Sequence, residues 1–563
     1  MSRFEPKKQS MCTTGPLSSK SIQEPLCVLH EIVRSCYGPS GRLKQVHNGT
    51  GGCVVTTSQS FTLLASISLR HPVLKLLVAS VRNHISCFSD CGLFAANLCC
   101  SLTARFLDLN ISPHTIVAIT RSLLATCIDY VNSEHCGCKM AADFSSSTFL
   151  LRLTGSVLSS KPACMLTYRE ADFISTLLVK AFLLAIPNET GSSVKLGNCV
   201  FVPVEGLSVT ESSIVPGLLI KIHELSWNRS VDFNGSPIKL ALFSVSLSGD
   251  FCDTGEGTVE LLSGVNAERA MLDQLFMLAK QLVEDHVNCV VCQKVIHPSV
   301  KQYLKEKNVL VVDRLGAAPM DTLSQMSGAK PIASLSVVSS TCCGRLRELR
   351  RLSYGSHHYL HFIPFDTSVS SFVLCNRNET SLKELMTTCQ AAQHILLLTL
   401  KKPWVLLGGG CTETHLAAFI RYKSANIQSS CLKELNCSAS EYQLVSKCFC
   451  ASLESVARSL EHDGGEMMID LQDAHLWSVP PSGSSEIDHH CGCGIHRSRD
   501  SLKWNVVGSQ YEPFNPQTSQ NILPTAADQL ILDCFSAKCN GLQVAVDTAA
   551  LILDLSYIVE DQN

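Results

Sequence analysis

The stretch CVVCQKVIHPSVKQYLKEKNVLVV, residues 289–312, decides the fold in the middle of the chain. Its two ends are short, valine-rich apolar runs, which predict buried strands. The polar segment 298–306 between them has the spacing of a helix. Upstream, Lys239–Ser248 predicts another strand, and residues 267–285 predict an amphipathic helix. Because strands that alternate with helices form parallel sheets, we expect an α/β domain here.

Helical patterns dominate on both sides of this region. Apolar residues recur at helical spacing in segments 26–36, 73–108, 113–132 and 168–186, and again in 381–400, 440–463 and 537–558. The simplest geometry is an insertion of the α/β domain into a helical domain built from both ends of the chain. This arrangement places the two chain ends in the same region. Segment 478–526 is rich in Pro, Ser, Gly and Asn, and predicts loops or an irregular insertion.

The composition excludes several classes of protein. The chain has 563 residues, 45% of them apolar and 17% charged, so it can bury a core and is not a disordered chain. The net charge of -3 offers no basic excess for a phosphate backbone, and no apolar run reaches the roughly 18 residues of a membrane helix. We therefore expect neither nucleic-acid binding nor membrane insertion. The 29 cysteines, without a recognisable secretory signal, predict reduced thiols in a cytoplasmic protein.

Two glycine-rich segments could hold a phosphate. In Tyr37–Lys44 (YGPSGRLK), Gly38, Pro39 and Gly41 follow the end of a helix. In the second segment, Gly408–Gly410 lie between the apolar run 404–407 and a helix from about Thr414. Glycines next to a helix let backbone N–H groups approach a phosphate closely. An ordinary Gly-Pro turn and a tight strand-to-helix turn explain the same residues, so both alternatives stay open.

At these residues the chain resembles a group II chaperonin subunit of the TCP-1 family. The matching motifs are GPSGRLK for the nucleotide loop, HPVLKLL at 71–77, SSK at 159–161, the apical pattern from Val291 to Ala329, GGGCTE at 408–413, and the last equatorial helix at 538–560. Their order along the chain makes the set far more specific than any single motif. The resemblance implies a multidomain α+β protomer. Its helical equatorial domain comprises 1–145 and 402–563, its small intermediate domain 146–212 and 365–401, and its inserted α/β apical, client-binding domain 213–364.

Within the family, segments such as SCYGPSGRLKQ, FSDCGLF and LLGGGCTETHLAA resemble the chaperonin-like proteins of Bardet-Biedl syndrome more than a ring-forming subunit. The resemblance implies a molecular chaperone or assembly factor that helps to assemble the BBSome for cilium biogenesis. The implied partners are other chaperonin-like Bardet-Biedl proteins and the TCP-1 ring complex, with BBSome subunits as clients. The implied location is the cytoplasm at the centrosome or ciliary basal body, and in part the nucleus. An ATP-dependent subunit that folds cytosolic proteins and a passive ciliary or centrosomal scaffold are the alternatives.

The resemblance also implies a pocket for ATP and Mg²⁺, formed by Gly38, Pro39, Gly41, Asp90, Gly408, Gly409 and Gly410. Its acidic residues are incomplete. Ser58 stands where the family has the Asp of NDGAT, and SDCGL at 89–93 keeps Asp90 but not the glycines of GDGTT. Ala391 stands at the position of the hydrolytic Asp. Because alanine neither polarises water nor binds a metal, we expect a degenerate ATPase site with no catalytic residue and no required cofactor. Whether ATP and Mg²⁺ bind stays open.

One further segment carries residue types that often serve as metal ligands in proteins. His489, His490, Cys491, Cys493 and His496 lie close together, but a second pair of ligands at zinc-site spacing is not visible. Chance clustering in a cysteine-rich loop is favoured, so the sequence predicts no metal ligands. The CGC at 136–138 beside His135 offers further ligands, but nothing in the sequence places it close to this segment.

Overall fold

The computed structural model describes the chain with several gaps and divides it into two compact units. The described residues are 11–14, 20–47, 54–186, 197–222, 237–249, 267–334, 340–365, 369–479, 491–495, 503–511 and 530–560. The outer unit comprises Met1–Val179 and Lys383–Asn563, and the inner unit comprises Lys180–Leu382. The five predicted domain segments, with their intermediate boundaries, stay a prediction.

Helices build most of the outer unit and bury one large apolar core. They are α1 (Lys20–Arg34), α2 (Ser60–Ser66), α3 (Pro72–Phe88), α4 (Gly92–Leu107), α5 (Pro113–Asn132), α6 (Ser147–Ser159), α7 (Tyr168–Leu184), α11 (Glu379–Lys401), α12 (Cys411–Ala425), α13 (Ser429–Glu434), α14 (Ala439–Arg458) and α15 (Phe535–Leu553), of which α7 and α11 extend past the limits of the unit. Helix α4 is buried along nearly its whole length and packs against α1, α14 and α15. A helix that is buried on nearly all sides lies in the centre of a bundle.

Short sheets complete the outer unit. Its strands are β1 (Met11–Thr14), β2 (Lys44–His47), β3 (Val54–Thr57), β4 (Lys139–Ala141), β15 (Trp404–Leu407), β16 (Glu466–Asp470), β17 (Leu476–Val479), β18 (Trp504–Val506), β19 (Leu532–Cys534) and β20 (Tyr557–Glu560). Strand β1 pairs antiparallel with β20, so the chain ends do meet, as the order of elements predicts. Strand β15 lies between β19 and β4, and β16 lies between β17 and β18.

Two helix predictions need correction. The apolar run 73–108 is two helices rather than one, because Ser89 and Cys91 both take a left-handed backbone with φ of 59°. The helix predicted over 537–558 ends at Leu553, and the residues from Tyr557 pair with β1 instead. The first break is thus local, whereas at the second an interaction between distant parts of the chain ends a pattern that looks continuous in sequence.

The inner unit contains the predicted α/β layer. Its elements are β5 (Asn198–Glu205), β6 (Ser213–Pro216), β7 (Leu218–Ile222), β8 (Ile238–Phe243), α8 (Ala267–Glu284), β9 (Cys289–Cys292), α9 (Pro298–Glu306), β10 (Leu310–Val312), α10 (Ala317–Ser327), β11 (Gly344–Leu346), β12 (Glu348–Tyr354), β13 (His357–Ile363) and β14 (Val369–Asn376). Strands β8, β9 and β10 are parallel, which confirms the strand–helix prediction. Two further sheets have the orders β12-β13-β7 and β5-β14-β6.

Within the described residues, no helix combines the length and the apolar character needed to cross a membrane. Most of segment 478–526 lies outside the described residues, although β18 falls within it.

Candidate nucleotide-binding site

A cavity of about 330 Å³ lies in the outer unit, where the two glycine-rich segments meet. Gly38 and Pro39 line it from the segment after α1, and Gly409 and Gly410 line it from the turn between β15 and α12. Asp90 lines it from the junction of α3 and α4. The structure therefore brings together five of the seven residues predicted for the pocket.

The other two predicted residues, Gly41 and Gly408, do not line the cavity. The N–H of Gly41 donates to the carbonyl oxygen of Gly38 at 3.1 Å, and the N–H of Gly408 donates to that of Ile531 at 2.9 Å. A Cβ on Gly41 would come within 2.4 Å of the carbonyl oxygen of Cys36. Both glycines thus shape the loops, while the residues beside them face the cavity.

Two helices begin at the cavity. Helix α4 starts at Gly92, and α12 starts at Cys411 directly after Gly410. The first backbone N–H groups of a helix have no partner within the helix, and the helix dipole adds partial positive charge there. Two such N-termini at a glycine-lined cavity form a geometry that suits an anion such as a phosphate.

The turn before α4 keeps a glycine-like backbone without glycine. Ser89 and Cys91 stand where the resembled motif has glycines, and both have φ of 59°. A side chain in the left-handed region costs on the order of 1 kcal/mol per residue. The turn that carries Asp90 therefore retains its shape although its sequence has changed.

Charges of both signs line the cavity. The acidic residues are Asp90, Glu461 and Asp533, and the cations are Lys161 and Lys538. Lys538 is 4% exposed, and its Nζ lies 2.5 Å from Oε1 of Glu413 and 2.9 Å from Oδ2 of Asp533. Burial alone would lower the pKa of Lys538, but the two carboxylates outweigh it and hold that pKa well above its ordinary value. Its charge is thus largely neutralised before any ligand binds.

Ser58 belongs to a closed polar network rather than to the cavity wall. It is 1% exposed, and its N–H and Oγ both donate to Oε2 of Glu384 at 3.2 Å. The hydroxyl of Thr57 donates to the other oxygen of the same carboxylate, and Gln59 donates from Nε2 to Oγ1 of Thr388 at 2.5 Å. Glu384 was not among the residues predicted for the site. Its position on α11, seven residues and about two turns before Ala391, was the available signal.

Ala391 also lies on α11 and is 7% exposed. Its methyl group offers neither a metal ligand nor a proton acceptor, so the chemistry expected of this position has no side chain to perform it. Ser58 and Ala391 are both outside the set of described residues that line the cavity.

A cluster of cysteine and histidine side chains lies directly behind the triple-glycine turn. Cys411, His475, Cys491 and Cys493 each offer a ligand atom, and all four atoms lie within 4.8 Å of one another. Cys491 and Cys493 are among the residues noted in the sequence, but no second pair was visible there, because Cys411 and His475 lie 80 and 16 residues before Cys491 and are not closely spaced. His489, His490 and His496 lie outside the described residues, and Cys136 and Cys138 contact each other elsewhere, with Sγ atoms 3.4 Å apart.

Comparisons with known proteins agree with this architecture. The sequence profile of the TCP-1/cpn60 chaperonin family matches residues 29–563. The chain is 48% identical to Molecular chaperone MKKS of Mus musculus and to that of Homo sapiens, and each alignment covers 100% of both proteins. It is 24% identical to Thermosome subunit alpha of Sulfurisphaera tokodaii over 81% of each chain. The resemblance predicted from the motifs is confirmed, and the chain belongs to the TCP-1/cpn60 chaperonin family.

Proposed function

We propose that this protein is a chaperonin-like molecular chaperone, or assembly factor, that works without productive ATP hydrolysis of its own. The observation that carries the proposal is full-length similarity to Molecular chaperone MKKS, combined with Ser58 and Ala391 at the positions of two expected carboxylates. A chaperone role follows from the similarity, and the absence of turnover follows from the two positions.

The loss of hydrolysis has a physical basis. Phosphoryl transfer needs groups that hold Mg²⁺ and orient the attacking water. Removing one group that stabilises the transition state costs about 3–4 kcal/mol, which is a hundredfold or more in rate. At Ser58 the hydroxyl is already donated to Glu384 in a buried network. We infer that nucleotide, where it binds to the glycine-lined cavity, acts as a ligand rather than as a substrate.

A chaperone of this kind can act by holding apolar surface. An exposed apolar face of an unassembled subunit is stabilised by about 25 cal/mol for each Å² that is covered. A later subunit that covers the same face more completely displaces the chaperone without hydrolysis. We propose BBSome subunits as the clients, with other chaperonin-like Bardet-Biedl proteins and the TCP-1 ring complex as partners. The proposed setting is cilium biogenesis at the centrosome or basal body.

Phosphate release by the purified chain tests the enzymatic part. We expect release at the rate of the buffer blank with Mg²⁺ and ATP present. The Ala391→Asp variant, which restores the expected carboxylate on α11 and leaves the Ser58–Glu384 network intact, serves as the matched comparison. Wild-type turnover similar to that of a ring-forming chaperonin run in parallel would refute the proposal.

Two assays separate the chaperone from its alternatives. Suppression of aggregation of a chemically denatured client, equal with and without ATP, is expected for a chaperone that does not hydrolyse ATP. A passive ciliary or centrosomal scaffold would leave aggregation unchanged, and an ATP-dependent subunit would require ATP. Affinity purification with mass spectrometry, with and without ATP, then identifies the clients, and we expect BBSome subunits in both samples.

A further inference from the structure

Three thiols and one imidazole converge in the outer unit from three separate parts of the chain. Cys411 is the first residue of α12, His475 precedes β17, and Cys491 and Cys493 flank a single glycine. All four side chains are buried, with exposures of 0%, 3%, 3% and 0% respectively. Their ligand atoms lie within 4.8 Å of one another, and the described residues contain no other such group.

The shortest distances in the cluster lie near those of a tetrahedral zinc site. With Zn–S of about 2.3 Å and Zn–N of about 2.0 Å, tetrahedral ligands lie about 3.8 Å apart for two sulfurs and about 3.5 Å apart for sulfur and nitrogen. The Sγ atoms of Cys491 and Cys493 are 3.2 Å apart, and Sγ of Cys493 is 3.5 Å from Nδ1 of His475. A small outward shift of the sulfurs would accommodate the ion.

The ligand set favours one class of ion. Thiolate and imidazole select zinc and other thiophilic cations, whereas Mg²⁺ and Ca²⁺ prefer oxygen. Four protein ligands leave no open position for water, which is the pattern of a structural rather than a catalytic zinc site.

The turn that carries His475 is held rigidly. The buried carboxylate of Asp470 accepts hydrogen bonds from the backbone N–H of Asp473, from that of His475 at 2.9 Å, and from Nε1 of Trp477 at 3.0 Å. The hydroxyl of Thr414, on α12, donates to the carbonyl oxygen of Ala474 at 2.7 Å. The turn and the helix of Cys411 are therefore fixed against each other, as preorganised ligands require.

The segment with the other two ligands is fixed from both sides. The N–H of Gly492 donates to the carbonyl oxygen of Leu476 at 2.7 Å, and the N–H of Ile531 donates to that of Cys493 at 2.9 Å. Gly492 also packs against Gly409. A Cβ added to Gly409 would lie 1.9 Å from the carbonyl oxygen of Gly492. An ion here would join this segment to the triple-glycine turn.

We propose that Cys411, His475, Cys491 and Cys493 bind one Zn²⁺ ion as a closed structural site. The three thiols lose their protons to solvent as the zinc–sulfur bonds form, and the neutral imidazole donates its nitrogen lone pair. The bound ion would secure the wall of the cavity at Gly409, Gly410 and Gly492. This proposal is independent of whether the protein binds or hydrolyses ATP.

Elemental analysis of the full chain, purified under reducing conditions without chelator, tests the site. We expect about one zinc per chain, and a loss of at least roughly tenfold in the Cys491→Ser/Cys493→Ser variant. The Cys136→Ser/Cys138→Ser variant is the matched control, since it removes an equally buried CGC pair, and it should keep its zinc. His475→Cys should retain the ion, whereas His475→Ala should lose it.

A measurement on the unaltered protein guards against variants that fail to fold. After the zinc is removed with a chelator, addition of Co²⁺ should give the intense visible absorption of a tetrahedral thiolate site. The proposal would be overturned if the wild-type protein is purified without zinc and also fails to give this spectrum with Co²⁺. It would also be overturned if the Cys491→Ser/Cys493→Ser variant holds as much zinc as the wild type. A disulfide between Cys491 and Cys493 in protein purified under reducing conditions would overturn it too.

Discussion

The Lys538→Met substitution should strongly destabilise the outer unit. Nζ of Lys538 lies between Glu413 and Asp533, and it also lies 4.1 Å from the centre of the Phe94 ring. Glu413 is 1% exposed, and its Oε2 has no hydrogen-bond partner among the described residues. The substitution keeps the apolar stem but leaves the Glu413 carboxylate buried, with the hydroxyl of Tyr37 donating to Oε1 at 3.4 Å.

The size of the effect follows from the burial of both partners. Removing one member of a buried ion pair costs about 3–5 kcal/mol, because the other charge stays buried without compensation. Since Glu413 carries that charge, Lys538→Met/Glu413→Gln should recover most of the loss. The raised pKa of Lys538 contributes stability that is complete below the unfolded value of about 10.4, and is lost as pH rises through the folded pKa. The destabilisation should therefore be constant across neutral pH.

Urea unfolding followed by tryptophan fluorescence measures the effect. Three of the four tryptophans, Trp404, Trp477 and Trp504, belong to the outer unit, and the rings of Trp477 and Trp504 lie 4.7 Å apart. The control is Lys447→Met on the exposed side of α14, which should change the free energy of unfolding by less than about 0.5 kcal/mol. A loss below about 1 kcal/mol for Lys538→Met, or no recovery in the double variant, would refute the reasoning.

Two further predictions concern the same unit. Gly409→Ala should destabilise it by roughly 3 kcal/mol or more in the urea assay, because the new Cβ would collide with the carbonyl oxygen of Gly492, at a φ of +60°. His415 has a pKa lowered to about 4 by burial, so the stability it contributes is complete above its unfolded pKa of about 6.5 and declines as pH falls toward 4. We expect His415 to account for about 1.4 kcal/mol of the stability lost between pH 7.5 and pH 5.5, so His415→Asn should reduce the pH dependence by that amount; an unchanged pH dependence in that variant would contradict the assignment.

Sequence patterns predicted the local structure well where one element carried its own signal. The strand Cys289–Cys292 and the helix Pro298–Glu306 lie where apolar periodicity placed them. The pocket that the family resemblance implies coincides with one cavity, which five of the seven predicted residues line.

Features that depend on distant contacts could not be predicted in this way. Nothing local to Cys411 or His475 indicates that both reach Cys491 and Cys493, because folding alone brings the four together. Zinc motifs are recognised by short spacings between ligands, and this cluster has one such spacing only. Glu384 was missed for the same reason, since its partner Ser58 comes from the far end of the chain.

The glycines of the cavity have a packing role that does not require nucleotide. A Cβ at Gly38 would come within 2.7 Å of Cδ2 of Leu460, and one at Gly410 within 2.5 Å of Cδ2 of Leu476. Both glycines also have positive φ, so a side chain would add backbone strain to the collision. A chain that had lost its ATPase would still need these residues to close its core. The glycine motifs therefore support the fold whether or not ATP is hydrolysed, whereas our proposal that hydrolysis is lost rests on the residues at positions 58 and 391.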